Sequence, residues 1–367
     1  MKLLTIDRDM LLKPLQAVTG IVERRHTLPI LSNVLLEADK ERMRLTATDL
    51  EIQVSTTAEG GETSSAATVT VSARKLLDIL RALPENTPIM LDTQNAKLVV
   101  KAGKSRFALQ TLPVEDFPRL AEAETPASIR LPQKGLKSLL MLVQYAMAQQ
   151  DIRYYLNGLL MVLEKGELRA VATDGHRLAY AGMPTEYAGE KQEVILPRKA
   201  VLELAKLLAD NDDEVSLEIG ASQVRFSFSG IVMLTKVVDG KFPDYGRVIP
   251  TNYVKRIDLD RLSLLQALQR ASILSNEKFR GVRWVLTENS LRISCTNSDQ
   301  EEAQEEIEIG YDKEPLDIGF NVNYLLDVLN NVSSETVTCA FGDASSSVLM
   351  TVPANASFKY VIMPMRI

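Results

Sequence analysis

VATDGHRLAY, residues 171–180, sets Asp174, His176 and Arg177 beside Gly175 where a strand-like run ends. An imidazole titrates near neutral pH and a carboxylate can orient it, so Asp and His within three positions suggest acid–base chemistry. The chain order fits no nucleophile signature, however, and Thr-Asp-Gly is ordinary turn chemistry. The stretch also recurs, and the recurrence decides the fold. LSNVLLEADKERMRLTATDLEI (31–52), LNGLLMVLEKGELRAVATDGHRL (156–178) and RGVRWVLTENSLRISCTNSDQEE (280–302) share one pattern. Each has an apolar run, a charged turn, an alternating run containing Leu and Arg, and then Thr-Asp or Thr-Asn. Thr173 lies 125 residues beyond Thr48, and Thr296 lies 123 beyond Thr173. The quoted stretch is therefore the end of a repeated hairpin.

Other features keep the same period. DMLLKPLQAVTGIV (9–22), QKGLKSLLMLVQYAMAQ (133–149) and DRLSLLQALQRASIL (260–274) precede the hairpins, with apolar residues at helical spacing. Pro14 removes a backbone donor, so the first of these helices is expected to kink or to start late. SARKLLDILRAL (72–83), LPRKAVLELAKLL (196–208) and FNVNYLLDVLNNV (320–332) follow the hairpins, aligning Arg74, Arg198 and Asn323. Strand-like runs close each copy. The chain reads as three copies of one α+β unit, two helices packed on antiparallel sheets. The expected domains are 1–119, 128–246 and 247–367, with linkers around 118–128 and 245–256.

The composition is globular: 46% of residues are hydrophobic and 25% charged, and no apolar run approaches the length of a membrane span. The opening MKLLTIDRDM lacks the apolar core of a signal peptide, which places the protein in the cytoplasm. Cys295 and Cys339 stand 44 residues apart without a CxxC, so buried thiols are expected and no metal or cofactor. A net charge of −6 argues against nucleic acid if the charge is spread evenly. It is not. Lys13, Arg24, Arg25, Arg74, Lys75, Arg81, Lys134, Lys137, Arg198, Lys199, Lys206, Arg261 and Arg270 lie on or beside the helix-like segments, whereas SDQEEAQEEIEIGYDKE (298–314) is acidic. KAGKSRFALQ (101–110) offers that run an opposite charge with Phe107 and Leu109 between. Such a head-to-tail contact closes into a ring if the rotation allows.

LLKPLQ, RRHTLPILSN, SARK, SRFALQTLP, AMAQQDIRYYLNG, VATDGHRLA, LPRKAV, DGKFPDY, ILSNEKFRGVR, IGFNVNYLLDVL and YVIMPMRI, in this order from one end of the chain to the other, resemble the bacterial DNA polymerase III beta subunits, the sliding clamps. The resemblance implies a non-enzymatic processivity factor, a head-to-tail homodimer whose six domains encircle duplex DNA without sequence preference. It also implies a pocket that takes short peptide motifs from the polymerase III catalytic subunit, the clamp loader, other polymerases and repair proteins.

By the same resemblance, Arg25, Arg74, Gln150, Tyr154 and Tyr155 contact DNA. The neighbouring Gln149 stands where some relatives carry histidine. The peptide pocket takes Leu156, Thr173, Gly175, His176, Arg177, Leu178, Pro243, Arg247, Val248, Asn321, Tyr324, Ser347, Val361, Ile362, Met363, Pro364, Met365 and Arg366. The apolar ones accept varied anchors, and Arg and His hold the peptide ends. Ser345 makes one wall more polar. The ring interface sets Lys75, Lys104, Arg106, Phe107 and Leu109 against Ile273, Leu274, Asp299, Glu301, Glu302 and Glu305, with Gln304 interrupting the acidic pattern. Two other readings stay open: a hydrolytic Asp174–His176 dyad, which lacks a nucleophile, and a repeat-built peptide-binding scaffold that does not encircle DNA.

Overall fold

In the computed structural model the order βαββββαβββ runs three times along the chain among the described residues, which are 2–23, 27–39, 41–62, 66–121, 124 and 127–366. The first copy is β1 (Lys2–Asp7), α1 (Arg8–Thr19), β2 (Asn33–Asp39), β3 (Arg42–Thr48), β4 (Ile52–Ala58), β5 (Ala67–Ser72), α2 (Ala73–Ala82), β6 (Pro88–Gln94), β7 (Lys97–Ala102) and β8 (Ser105–Gln110). The second is β9 (Ala127–Pro132), α3 (Gln133–Met141), β10 (Gly158–Glu164), β11 (Glu167–Thr173), β12 (Arg177–Pro184), β13 (Gln192–Pro197), α4 (Arg198–Leu207), β14 (Glu214–Ile219), β15 (Gln223–Phe228) and β16 (Ile231–Lys236). The third is β17 (Lys255–Asp260), α5 (Arg261–Ser272), β18 (Gly281–Thr287), β19 (Ser290–Thr296), β20 (Glu302–Glu308), β21 (Leu316–Asn321), α6 (Val322–Asn331), β22 (Thr336–Phe341), β23 (Val348–Val352) and β24 (Asn355–Ile362).

Local chemistry explains the boundaries. The Asp7, Asp260 and Asn321 side chains accept from the first-turn N–H groups of α1, α5 and α6, which satisfies donors a helix leaves orphaned. Pro14 neither delays nor ends α1, which begins at Arg8 and continues to Thr19. The second copy is shorter than its periodicity predicts: α3 stops at Met141 and a 3-10 turn at Gln144–Ala146 replaces its last turns. The hairpin of β10 and β11 turns at Lys165 (φ 49°) and Gly166 (φ 78°), the positive-φ pair a two-residue loop needs.

Three sequence copies fold into two compact units, residues 1–135 with 202–237, and 136–201 with 238–367. The sheets show why. In the first unit β5-β2-β3-β4 continues through β16 into β15-β14-β9, giving eight strands, beside a separate four-stranded sheet β1-β6-β7-β8. In the second, β13-β10-β11-β12 continues through β24 into β23-β22-β17, beside β20-β19-β18-β21. The strands of the middle copy are thus shared, because each half of its sheet hydrogen-bonds to a neighbouring copy.

Each unit has its own core. In the first, Leu11, Leu15 and Val18 of α1 and Leu76 and Leu80 of α2 are buried, the helical spacing read from sequence. Each such side chain contributes roughly 1.5–3 kcal/mol. In the second, the single tryptophan, Trp284, is buried edge-on to Phe320 with centroids 5.4 Å apart. Cys295 and Cys339 are free and buried, and burial pushes the Cys339 thiol up to about 12.

Candidate functional site

The corner after β11 is held by its own side chains. Thr173 donates its hydroxyl to the Arg177 carbonyl (2.6 Å) and accepts from the Gly175 N–H (3.0 Å). Asp174 Oδ1 accepts from the His176 and Arg177 N–H groups at 2.9 and 3.0 Å. Gly175 takes φ +89°, and a Cβ there would meet the Arg153 guanidinium at 3.0 Å. The first copy repeats the bonds with Thr48 and Asp49, and Leu50 takes φ +79°. In the third copy Asn297 Oδ1 accepts from the Asp299 and Glu301 N–H groups. Asp174 is therefore spent on turn geometry, as the repeat implies, and is not poised against His176 as a dyad.

Arg177 distinguishes the second corner from the other two. Its guanidinium donates to Asp174 Oδ2 (3.1 Å), Asp327 Oδ2 (2.5 Å) and the Tyr145 carbonyl (2.7 Å), and lies 4.4 Å from the Tyr324 ring centroid. Only 9% of the side chain is exposed. Burial alone pulls its pKa down, but Tyr360, Asp327 and Asp174 outweigh that and hold it above the usual arginine value. The corner is also tied to the C-terminal tail, since Met363 N–H donates to the His176 carbonyl (2.8 Å). A polar hollow of about 540 Å³ lies beside it, lined among others by Gln149, Asp151, His176, Arg177, Arg198 and Tyr324.

The apolar residues predicted for the pocket converge in part. Leu156, Leu178 and Val361 are buried in one cluster with Leu160, Val171 and Phe242, against which Tyr155 and Tyr245 pack. Ile362 is buried, whereas Val248 and Met363 are 41% and 43% exposed. Pro243 and Arg247 are exposed, Arg247 pairing with Asp244 at 2.9 Å. Asn321 caps α6, and Ser347 lies 3.4 Å from the Tyr253 hydroxyl. Pro364, Met365 and Arg366 line a second hollow of about 500 Å³ with Asp343, Ala344 and Ser345.

Three successive segments match the DNA polymerase III beta subunit: its N-terminal domain over residues 1–121, its central domain over 130–244 and its C-terminal domain over 246–366. The chain belongs to that family. The beta sliding clamp of Pseudomonas putida is 46% identical over 364 residues, and that of Escherichia coli strain K12 is 44% identical over 363, each match covering 99% of both chains. The crystal structure of the DNA polymerase III subunit beta from Pseudomonas aeruginosa superposes with a TM-score of 0.96 at 45% identity, covering 100% of both chains. A second structure of the P. aeruginosa clamp, bound to griselimycin, gives 0.95 over 99% of both chains.

Within this beta subunit the residues expected at DNA fall in different settings. Arg25 lies outside the described residues. Gln150 (φ +55°) and Tyr154, 57% exposed, share one loop with the half-buried Tyr155. Arg153 in that loop grips Asp151, whose carboxyl it holds down at about 2. Arg74 is exposed but donates to the Val22 carbonyl (3.0 Å), as Arg198 donates to Met147 at the equivalent place. Those guanidiniums brace the backbone beyond each first helix.

The residues expected at the ring interface lie on two sheet edges and the neighbouring helices. Lys75, Lys104 and Arg106 are exposed, and Phe107 and Leu109 of β8 half-buried. Ile273 is 76% exposed with Leu274 half-buried, and Asp299, Glu301 and Glu302 are exposed. Glu305 already accepts within the chain from Nε and Nη2 of Arg270, at 2.8 and 2.5 Å. Sequence reading missed Asp327, Arg153 and Phe242. Only Phe242 left a signal, for it repeats Phe117 in a Phe-Pro pair.

Proposed function

We propose that this chain works as a DNA sliding clamp, a head-to-tail homodimer of three-domain protomers (1–119, 128–246 and 247–367) that encircles duplex DNA and tethers the replicative polymerase. One observation carries the reading: the pattern of sheet edges. Between copies, β4 pairs with β16 and β12 pairs with β24. Among the described residues, the strands equivalent to these that have no such neighbour are β20 and β8, outer strands of the two four-stranded sheets. An open edge is a template for pairing. If β20 of one copy meets β8 of another as β12 meets β24, a third eight-stranded sheet forms, and two such contacts close a ring.

A closed ring holds DNA by topology and needs only weak contacts to phosphate, which is compatible with a net charge of −6. No bond-making step is assigned to it, and the cytoplasm, where replication takes place in bacteria, is the proposed compartment. The corner at 173–178, the Leu156–Leu178–Val361 cluster and the tail at 361–366 form the docking site for short peptide motifs of polymerase III, the clamp loader and repair proteins. The test is to load the protein onto nicked circular duplex DNA with a clamp loader and ATP, then gel-filter before and after one cut. Co-elution lost on cutting is expected. Retention after cutting means ordinary affinity binding, and no co-elution beside a competent loader favours the scaffold reading.

A further inference from the structure

The chain has three corners of one design, and one of them is locked to a helix. Counting back from the strand pairs Thr48–Gln53, Thr173–Leu178 and Thr296–Glu302, the residues equivalent to Arg177 are Ile52 and Glu301. Counting on from Arg74, Arg198 and Asn323, the residues equivalent to Asp327 are Asp78 and Leu202. Neither other copy has an Arg and an Asp at the two places. At the corresponding position within the chain's first unit Ile52 is buried as an apolar residue. For a guanidinium as buried as that of Arg177 an ion pair is seldom the most stabilising choice, since apolar replacements of similar volume often do as well. What it supplies is direction: a planar guanidinium held by carboxylates on two sides allows one orientation.

That orientation reaches the corner's backbone. Asp327 on α6 binds Arg177 Nη1, Asp174 Oδ2 binds Arg177 Nε, and Asp174 Oδ1 holds the His176 and Arg177 N–H groups. The His176 carbonyl then receives Met363 N–H at the start of the tail. Tyr360 closes the circuit, donating to the Tyr324 carbonyl on α6 (3.0 Å). With 9% of its surface exposed and its donors engaged, Arg177 is a poor candidate for a direct peptide contact. Asp327, 42% exposed and outside the expected pocket, is the free end of the chain of bonds.

We infer that Asp327 is a positioning residue for peptide binding, acting through Arg177 to fix the corner and the tail on either side of the apolar cluster. This rests on the docking site proposed above. The test uses full-length protein and, as probe, a short peptide carrying the clamp-binding motif of the polymerase III catalytic subunit, with affinities measured by calorimetry for wild type, Asp327→Ala, Asp327→Glu, Arg177→Met and the double variant Asp327→Ala with Arg177→Met. Asp327→Ala is expected to weaken binding about fivefold or more, the scale of coupling between sites. Asp327→Glu is expected to recover most of it, and Asp327→Ala to add nothing in the Arg177→Met background. Thermal midpoints of the Asp327 variants, in which Arg177 keeps Asp174 and the Tyr145 carbonyl, and their retention on circular DNA are expected to stay near wild type. Wild-type affinity in Asp327→Ala, or a loss that Glu does not rescue and that adds to Arg177→Met, overturns the inference alone. Failure of wild type to bind overturns the docking site as well.

Discussion

Gly175 and His176 carry opposite demands. Gly175 takes φ +89° under the Arg153 guanidinium, so Gly175→Ala adds a strained backbone and displaces a flexible side chain. We expect about 1 kcal/mol lost in urea unfolding followed by Trp284 fluorescence; Leu50 at φ +79° in the first copy shows that the conformation tolerates a side chain. His176 is exposed, and its side chain makes no hydrogen bond or ion pair among the described residues. His176→Ala is expected to leave stability within about 0.5 kcal/mol while weakening binding of the polymerase III peptide motif. Asp151 offers a check on the adjoining loop. Arg153 lowers its carboxyl to about 2, so the pair is intact above the ordinary aspartate value of about 3.9 and is lost as pH falls through about 2. A carboxyl NMR titration should place its midpoint near 2, and Arg153→Ala should raise it toward the ordinary range, with the part held by the residue 153 backbone N–H kept. At this scale sequence located the corner, because Thr, Asp and Gly act on neighbours two to four residues away. It could not locate Asp327, whose partner Arg177 lies 150 residues distant.

At the scale of elements, the repeat predicts a register that no single strand reveals. Met233 pairs with Val54, and Tyr360 with Ala179. Matching the hairpins that contain Ala102–Ser105 and Phe228–Ile231 makes Phe107 equivalent to Met233, while the corners make Ala303 equivalent to Val54 and Ala179. If the ring closes in the same register, Phe107 faces Ala303 of the other protomer, Ser105 faces Glu305 and Arg106 faces Gln304. A protein with Ser105→Cys and Glu305→Cys should oxidise to a covalent dimer, whereas Ser105→Cys with Gln304→Cys, one residue out and on the opposite face, should not. Charge follows the same map. Glu302 is exposed and forms no ion pair among the described residues, whereas Glu305 is neutralised by Arg270 before any partner arrives. Glu302→Ala should weaken the dimer by up to about 1 kcal/mol and Glu305→Ala by less, measured by sedimentation equilibrium. The helices and hairpins behind this map were legible from periodicity. The sharing of the middle copy between two sheets was not, because edge pairing depends on which backbone groups are left open, and side-chain pattern does not record that.

At the scale of the whole molecule, the proposed ring closure and peptide docking are separable, because the residues proposed for docking all belong to the second unit whereas the proposed closure uses β8 of the first. Ile273 is 76% exposed, a large apolar group that a lone protomer leaves in water and that the expected interface sets against Phe107 and Leu109. Replacing Ile273 and Leu274 together by Ala should remove roughly 2–5 kcal/mol of apolar contact and leave a monomer at micromolar concentration. That monomer should bind the polymerase III peptide motif with wild-type affinity and unfold with an unchanged Trp284 transition, yet fail to stay on circular DNA. Salt separates the two modes of holding DNA further. Phosphate contacts weaken steeply as counterions are added, so any affinity of the monomer for DNA should vanish at high salt. A closed dimer already loaded on a circle has no such dependence until the salt opens the interface itself. Retention of the wild type should therefore persist through salt concentrations that abolish its binding to linear DNA. If both fall together, the acidic protein is held by charge at its basic helices and the sheet edges do not close.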